Sequence, residues 1–438
     1  MKFEKITKKY ILKNKNIPIL TFDYEKINKE VYNTEYSTYK LKHIKILNEA
    51  LLPKSYPKEK YNTAELKKWI EHRKAPKNRK NINNLINYEI QKLRLDSNNF
   101  MNFIDISYGL SLNDSYWIVP DDGNEYKWEN YNLYNNKFSE KLGLIAFGEK
   151  GIADSLNEKF QTSPEYTTNG MLAKCWTMLN DEIVLLKKSS EHYKVEAMAE
   201  YYMCQVADIM GFNHIDYDII KYHNSIVSSC KLFTTEDIGY SPISNFITIR
   251  ETISTNPEKL IEKVEKIVGK EFLEDLMVFD SLIYNNDRHF GNYGMLVNND
   301  TGEILTPAPI FDNGNSVLML YSDLPSECTE IFANHKLGIP FDVLSSNFVQ
   351  ERHKEGLEKL KDFKFKRHKE YNLSEDLLKK GENFISKRAE TILKQLDNKL
   401  EKVFLNENED KKKLKIEKEQ PKREKRSRIR NNSKEKGR

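Results

Sequence analysis

Asp287, Asn292 and Asp312 are the residues of this 438-residue chain whose types and spacing point most directly to chemistry. Asp287 follows an apolar run over residues 279–283, and Asn292 comes five positions later. A second apolar stretch then ends in Ile310-Phe311-Asp312-Asn313-Gly314. Phosphoryl transfer needs such a set. One carboxylate accepts the proton of an attacking hydroxyl, an Asn five residues on gives its side-chain oxygen to Mg2+, and a later Asp near a Gly holds the metal against the phosphates. An Asp with an Asn five residues on is a weak signal alone in so Asn-rich a chain. The context strengthens it: a helix-like run precedes the pair, Arg and His sit inside it, and a strand pattern follows. The competing readings are a solvated loop carboxylate for Asp287 and an ordinary Asx-turn for Asp312.

A lysine on a strand must meet the phosphates of the donor nucleotide. Lys187 ends the strand-like run Ile183-Val184-Leu185-Leu186, and Lys188 would face the other way under period-two alternation. The pattern does not choose between them, nor does it exclude a surface lysine at a strand end. On the following helix Glu200 and Glu196 lie one turn apart on one face, and either could pair with that lysine. His289 is expected to be structural, holding the loop by hydrogen bonds or packing as a neutral core histidine. Asn285 and Asn286 suit the turn. A G-x-G-x-x-G loop is missing before Lys187; only Gly170 occurs in the turn-prone residues 163–170, whose backbone amides and hydroxyls would have to cradle phosphates. The chain contains no Walker sequence, no H-E-x-x-H and no G-x-S-x-G.

The elements that must position these residues follow from hydrophobic spacing. Residues 10–12 and 17–20 read as short strands about a turn, with Pro18 keeping the second at a sheet edge. Residues 66–73 suit an amphipathic helix burying Leu66, Trp69 and Ile70, and residues 81–95 another. Residues 108–141 read as loops with short strands. Residues 196–210 form a helix capped by Gly211, and residues 226–233 a strand. Helical spacing fills residues 257–283 with a break near Gly269. Strands follow near 294–297 and 304–305, and charged helices over 348–363 and 374–404.

Hydrophobic residues at 39%, with 24 Tyr and 21 Phe, allow a sizeable core, and the length suits two lobes. No apolar run approaches the roughly 20 residues of a bilayer span, and the charged N-terminus lacks a signal-peptide core. Scattered Cys175, Cys204, Cys230 and Cys328 suit inert reduced thiols in a cytoplasm, with no disulfide frame or zinc site. The formal charge of +4 conceals an asymmetry. Residues 411–438 hold 14 Lys/Arg and 4 Asp/Glu, so they carry +10 and the remainder carries −6. That tail reads as disordered, able to attract nucleic-acid phosphates without sequence specificity.

The run Asp287-Arg288-His289-x-x-Asn292, followed by Pro309-Ile310-Phe311-Asp312-Asn313-Gly314-Asn315-Ser316, resembles the HipA-like serine/threonine kinases. Residues 108–117, YGLSLNDSYW, resemble a block of HipA-domain proteins from low-GC Gram-positive bacteria, and Glu200-Tyr201-Tyr202 with Ala207 and Gly211 resembles the helix after the family's ATP lysine. The resemblance implies an α+β, two-lobed, protein-kinase-like fold with a largely helical C-terminal lobe and ATP and Mg2+ in the cleft. By position it implies Asp287 as catalytic base, Asn292 and Asp312 as metal ligands, and Lys187 as the ATP lysine. Leu232, Phe233 and Thr234 would lie beside the adenine, with Gly170 and Glu200 completing the nucleotide site. It also implies an inhibitory phosphorylation in the phosphate loop, at Ser163, Thr167 or Thr168. A DNA-binding antitoxin partner and a protein substrate in the translation machinery complete the expectation, with no membrane association. The corresponding organisation is an accessory region at 1–100, an N-lobe at 101–240, a C-lobe at 241–405 and a basic tail at 406–438. The alternatives are a nucleotide-binding pseudokinase and a regulatory module that meets nucleic acid through the tail.

Overall fold

The computed structural model describes residues 3–31, 34–55, 62–85, 99–149, 163–247, 256–323 and 333–432, with side chains except at residues 3, 30, 31, 34, 35, 323 and 406–432. It opens on an antiparallel meander of long strands, β1 (Phe3–Asn14), β2 (Ile17–Val31) and β3 (Thr34–Ile46). These strands are longer than the apolar pattern suggests, because Lys, Glu and Asn fill their outward positions. The inward ones, Tyr10 and Leu12 on β1 and Leu20, Phe22 and Tyr24 on β2, are buried at period two. Helix α1 (Thr63–His72) buries Leu66, Trp69 and Ile70 as expected. After α2 (Asn102–Ser107), β4 (Tyr116–Pro120) pairs with β1, giving the sheet order β3-β2-β1-β4. The expectation of an edge position for the Pro18 strand is therefore corrected: β2 is interior. Pro18 is accommodated because β2 begins to pair with β3 only at Leu20, and the β1 register shifts at Leu12/Lys13. Residues 82–85 are helical, and the rest of the helix expected to residue 95 lies outside the described residues, as does Cys328.

Helix α3 (Glu140–Phe147) leads to the second sheet, formed by β5 (Lys174–Leu179), β6 (Glu182–Lys187), β7 (Asp218–Tyr222) and β8 (Ser225–Lys231) in the order β5-β6-β8-β7. Helix α4 (Glu196–Met210) crosses between β6 and β7 and ends on Gly211 in the left-handed region (φ 73°). A third sheet, β11-β10-β9, combines β9 (Ile238–Pro242) with the later hairpin β10 (Gly294–Asn298) and β11 (Ile304–Pro307). Between them run α5 (Pro257–Val268) and α6 (Lys270–Ile283), separated at Gly269 as the sequence suggests.

Helices α7 (Val317–Asp323), α8 (Phe341–Phe348), α9 (Lys354–Leu360) and α10 (Glu375–Asn432) close the molecule. The single helix expected over 348–363 is instead two, because the chain leaves α8 at Val349 in extended conformation and re-enters through a 3-10 turn at Glu351–His353. One hydrophobic core joins α4 to these helices, with Tyr202, Leu276, Phe279, Leu318, Phe341 and Ile385 among its fully buried members. The α10 backbone is helical to Asn432. Lys, Glu and Arg are good helix formers, and they extend a helix already nucleated by packing. That packing ends near Leu400, and Val403, Phe404 and Leu405 are exposed.

Candidate active site

Lys187 is the last residue of β6, paired across the sheet with Lys174 of β5 and Ser228 of β8. Directly paired residues project from the same face, so these three side chains meet below α4. Lys187 Nζ donates to Glu200 Oε1 at 2.5 Å and to Asp312 Oδ1 at 2.6 Å, and Ser228 Oγ donates to Glu200 Oε2 at 2.7 Å. Burial alone would lower the Lys187 pKa, but Asp312 and Glu200 outweigh it and hold the ammonium above its ordinary value. Burial opposes ionisation of Asp312, yet Lys187 and then Lys174 keep its carboxyl below the usual carboxylate range. Two open questions of the sequence close here. Lys188 turns away, to Glu149 Oε1 at 3.2 Å and over the Phe147 ring. Glu196 does not reach the lysine; its carboxylate accepts from the Ser190 and Val195 amides at the start of α4.

Asp312 is delivered by the short extended run Ile310-Phe311, which is stitched to the segment after α4. Ile310 N donates to Asn213 O, Ile215 N donates to Ile310 O, and Asp312 N donates to the Tyr217 hydroxyl at 3.0 Å. Asp312 has φ 57°, an uncommon conformation for a non-glycine residue and one that Asp tolerates better than most. Gly314 is needed for close approach: a Cβ there would lie 2.4 Å from Glu196 O and 3.2 Å from Glu200 Cγ. Gly314→Ala is therefore expected to destabilise the protein by about 1–3 kcal/mol through overpacking against helix backbone, read as a lower midpoint in denaturant unfolding.

The loop after α6 carries Asp287 and Asn292. Arg288 is fully buried and anchors it: Nε and Nη2 donate to Asp280, Nη1 donates to Phe311 O at 2.5 Å and Asn292 O at 3.4 Å, and Nη2 donates to Asn313 Oδ1 at 2.7 Å. One guanidinium thus fixes the Asp287–Asn292 loop to the Asp312 loop. Asn285 Oδ1 accepts from Asp287 N at 3.2 Å, the turn role expected of it. Asp287 is half-exposed and its Oδ1 accepts from Lys336 Nζ at 3.1 Å. Asn292 is buried, and its Oδ1 accepts no hydrogen bond among the described residues. His289 is exposed and accepts from Gly291 N at 3.0 Å, so it holds the loop and does not pack in a core.

After β8, Leu232 N donates to Ile183 O, Thr234 Oγ1 donates to Leu112 O at 2.5 Å, and the Phe233 ring packs against Phe311 and Tyr240 at 5.5 Å. Phe233 therefore touches the residue that precedes Asp312. The expected phosphate-loop hydroxyls are engaged internally: Ser163 Oγ caps a 3-10 turn, Thr167 Oγ1 donates to Leu110 O, and Thr168 Oγ1 donates to Pro164 O and accepts from Trp176 Nε1.

Two residues of this region were not legible in the sequence. Lys174 is buried, and a Cβ on Gly170 (φ 93°) would lie 2.2 Å from its Nζ, so Gly170 leaves room for this ammonium. Lys174 has no carboxylate hydrogen-bonded to it among the described residues, and burial, then Lys187, lower its pKa to about 7. Arg79, fully buried, donates to Glu165 Oε2 and to the carbonyls of Glu165, Thr168 and Lys174, bracing the loop from the N-terminal region. Cross-strand pairing with the Lys187 strand was the available signal for Lys174; Arg79 offered none.

No family model matches the chain. The chain is 28% identical over 176 residues to the serine/threonine-protein kinase CtkA of Helicobacter pylori, a stretch covering 35% of this chain and 52% of CtkA. It thus spans about half the length of the curated relative it matches. The crystal structure of the H. pylori proinflammatory kinase CtkA aligns with 53% of this chain and 92% of its own, at 20% identity and TM-score 0.42. HipA of Shewanella oneidensis, solved with HipB and its operator DNA, aligns with 89% of this chain and 98% of its own, at 14% identity and TM-score 0.51. The fold is HipA-like, and over the matched stretch the chain is homologous to the CtkA kinase.

Proposed function

We propose that the chain is an ATP- and Mg2+-dependent kinase that phosphorylates serine or threonine hydroxyls of a protein. The observation that carries the reading is the contact of Lys187 with both Glu200 and Asp312, while Arg288 ties that cluster to the loop of Asp287 and Asn292. Lys187, Asp287, Asn292 and Asp312 are thus carried by segments bonded to one another, which supports a phosphoryl-transfer reading. Lys187 and Lys174 offer two ammonium groups to the donor phosphates. Phe233 and Thr234, with Leu232, would border the adenine.

Asn292 and Asp312 fit a hard divalent cation. Asn292 Oδ1 and Asp312 Oδ2 accept no hydrogen bond among the described residues, and amide and carboxylate oxygens are the ligands Mg2+ takes. Held there, Mg2+ would offset the phosphate charge. Asp287 accepts the proton of the acceptor hydroxyl as its oxygen attacks the γ-phosphorus. The new O–P bond forms while the bond to the β-γ bridging oxygen breaks, and ADP leaves with that electron pair.

The protein substrate belongs to the translation machinery in this reading, and the molecule is the toxin of a cytoplasmic toxin–antitoxin pair. The HipA neighbour, held with HipB and operator DNA, supports a DNA-binding partner, and no helix among the described residues is long and apolar enough to cross a membrane. The basic end of α10 would add weak nucleic-acid attraction. Incubation with labelled ATP and Mg2+ tests the enzyme reading. Wild type is expected to label itself or a lysate protein and Asp287→Asn is not; equal labelling by both would remove Asp287 as base, and nucleotide binding without turnover would make the protein a pseudokinase.

A further inference from the structure

Lys336 lies outside the Asp287–Asn292 and Asp312–Gly314 motifs, yet its ammonium is 3.1 Å from Asp287 Oδ1. The fold builds this approach from beneath. Residues 333–341 form a tight turn with Lys336 near its tip: Phe341 N donates to Ala333 O, His335 N donates to Ile339 O at 2.9 Å, and Gly338 N donates to His335 O at 2.8 Å in a left-handed conformation (φ 75°). His335 pins the turn to the core. It is buried, its Nδ1 accepts from Leu337 N at 3.2 Å, and its Nε2 therefore carries the proton and points to Asp280 Oδ2 at 3.4 Å.

Asp280 is the same fully buried carboxylate that holds Arg288. One acidic side chain on α6 thus organises three loops at once: that of Asp287 and Asn292 through Arg288, that of Asp312 through the same guanidinium, and that of Lys336 through His335. The Lys336–Asp287 pair is about half-exposed on both sides. An exposed pair contributes little to folding, so stability does not explain why a turn anchored on Asp280 brings an ammonium to this carboxylate.

We propose that Lys336 is a positioning residue for phosphoryl transfer, holding Asp287 by Oδ1 so that Oδ2 is turned to the acceptor hydroxyl. The proposal rests on the reading of Asp287 as the base. It makes the 333–341 turn part of the acceptor side of the site, supplying from a distant loop a cation that the Asp287–Asn292 loop does not itself bring to its carboxylate. Lys336 acts on the proton-accepting group and not on the nucleotide, so its effect belongs in turnover.

Full-length wild type, Lys336→Met, Lys336→Arg and Asp287→Asn should be compared by steady-state ADP release, with dephosphorylated casein as acceptor and with water alone. The affinity of a fluorescent ATP analogue and the melting temperature complete the set. Lys336→Met is expected to lower kcat about 10- to 100-fold, the usual effect of a misplaced catalytic group, with nucleotide affinity and melting temperature essentially unchanged. Lys336→Arg, which keeps the cation, should recover most of that loss. A Lys336→Met kcat equal to or above wild type, with Asp287→Asn inactive, overturns the proposal and leaves Asp287 in place. Wild-type turnover by Asp287→Asn overturns the base assignment itself, and a loss confined to nucleotide affinity would make Lys336 a nucleotide contact instead.

Discussion

Lys187→Met is expected to lower phosphoryl transfer by about 10^3-fold, the upper range for losing one preorganised charged donor at a reacting phosphate, and also to destabilise the fold. Lys187 and Glu200 are both buried, and the lysine bridges Glu200 to Asp312. Removing one partner of such a pair leaves a charge without compensation inside the protein, at about 3–5 kcal/mol. The two losses separate in a second variant. Lys187→Met combined with Glu200→Gln removes the stranded carboxylate, while Ser228 Oγ still has an acceptor in the Gln amide oxygen. The double variant should regain much of the stability in urea unfolding and none of the transfer. If it regained transfer, the lysine would be a structural member of the cluster and the nucleotide would be held elsewhere.

Much of this cluster was legible because chain order and local pattern carry it. Ile183 to Lys187 reads as a strand in any register, and Gly211 and Gly269 mark helix ends that the structure reproduces. The phase of the cluster was not legible. Alternation places Lys187 and Lys188 on opposite faces without saying which face is inward, and helical spacing puts Glu196 and Glu200 on one face without saying which reaches the strand. Pairing of β6 with β5 and β8, and the capping of the α4 start by the Glu196 carboxylate, decide both. Lys174, Arg79, Asp280, His335 and Lys336 lay beyond local reasoning, since each acquires its role from a partner dozens of residues away or from a facing strand. Asp280 reads as one more polar residue in a helix, and only folding makes it the carboxylate on which Arg288 and His335 converge.

The long first sheet was underestimated for a different reason. Its outward positions are charged, so only half of each strand carries an apolar signal.

Lys174→Met is expected to make the protein more stable and a poorer nucleotide binder, and the pH dependence of both effects follows from its position. The free protein holds this ammonium buried beside Lys187, with its pKa near 7 against an ordinary lysine value of 10.5. Between those values the unfolded chain binds the proton and the folded one does not. Stability contributed by this site therefore rises with pH across the window, and the penalty is complete below about pH 7. Met fills a similar volume without the charge, so the variant should exceed wild type by on the order of 2–4 kcal/mol at pH 7 or below, and the advantage should vanish as pH approaches 10.5. Nucleotide binding runs the other way. Phosphate oxygens favour the charged lysine, so wild-type affinity should weaken as pH rises above 7 and the free ammonium is lost. The variant should lose about 10- to 100-fold in affinity at pH 7, the worth of one charge-assisted hydrogen bond, and show a flatter pH profile. Urea unfolding and fluorescent-ATP titration at several pH values measure the two trends. A variant less stable than wild type at pH 7, with unaltered affinity, would mean that Lys174 is a packing residue and that Gly170 makes room for nothing but its stem.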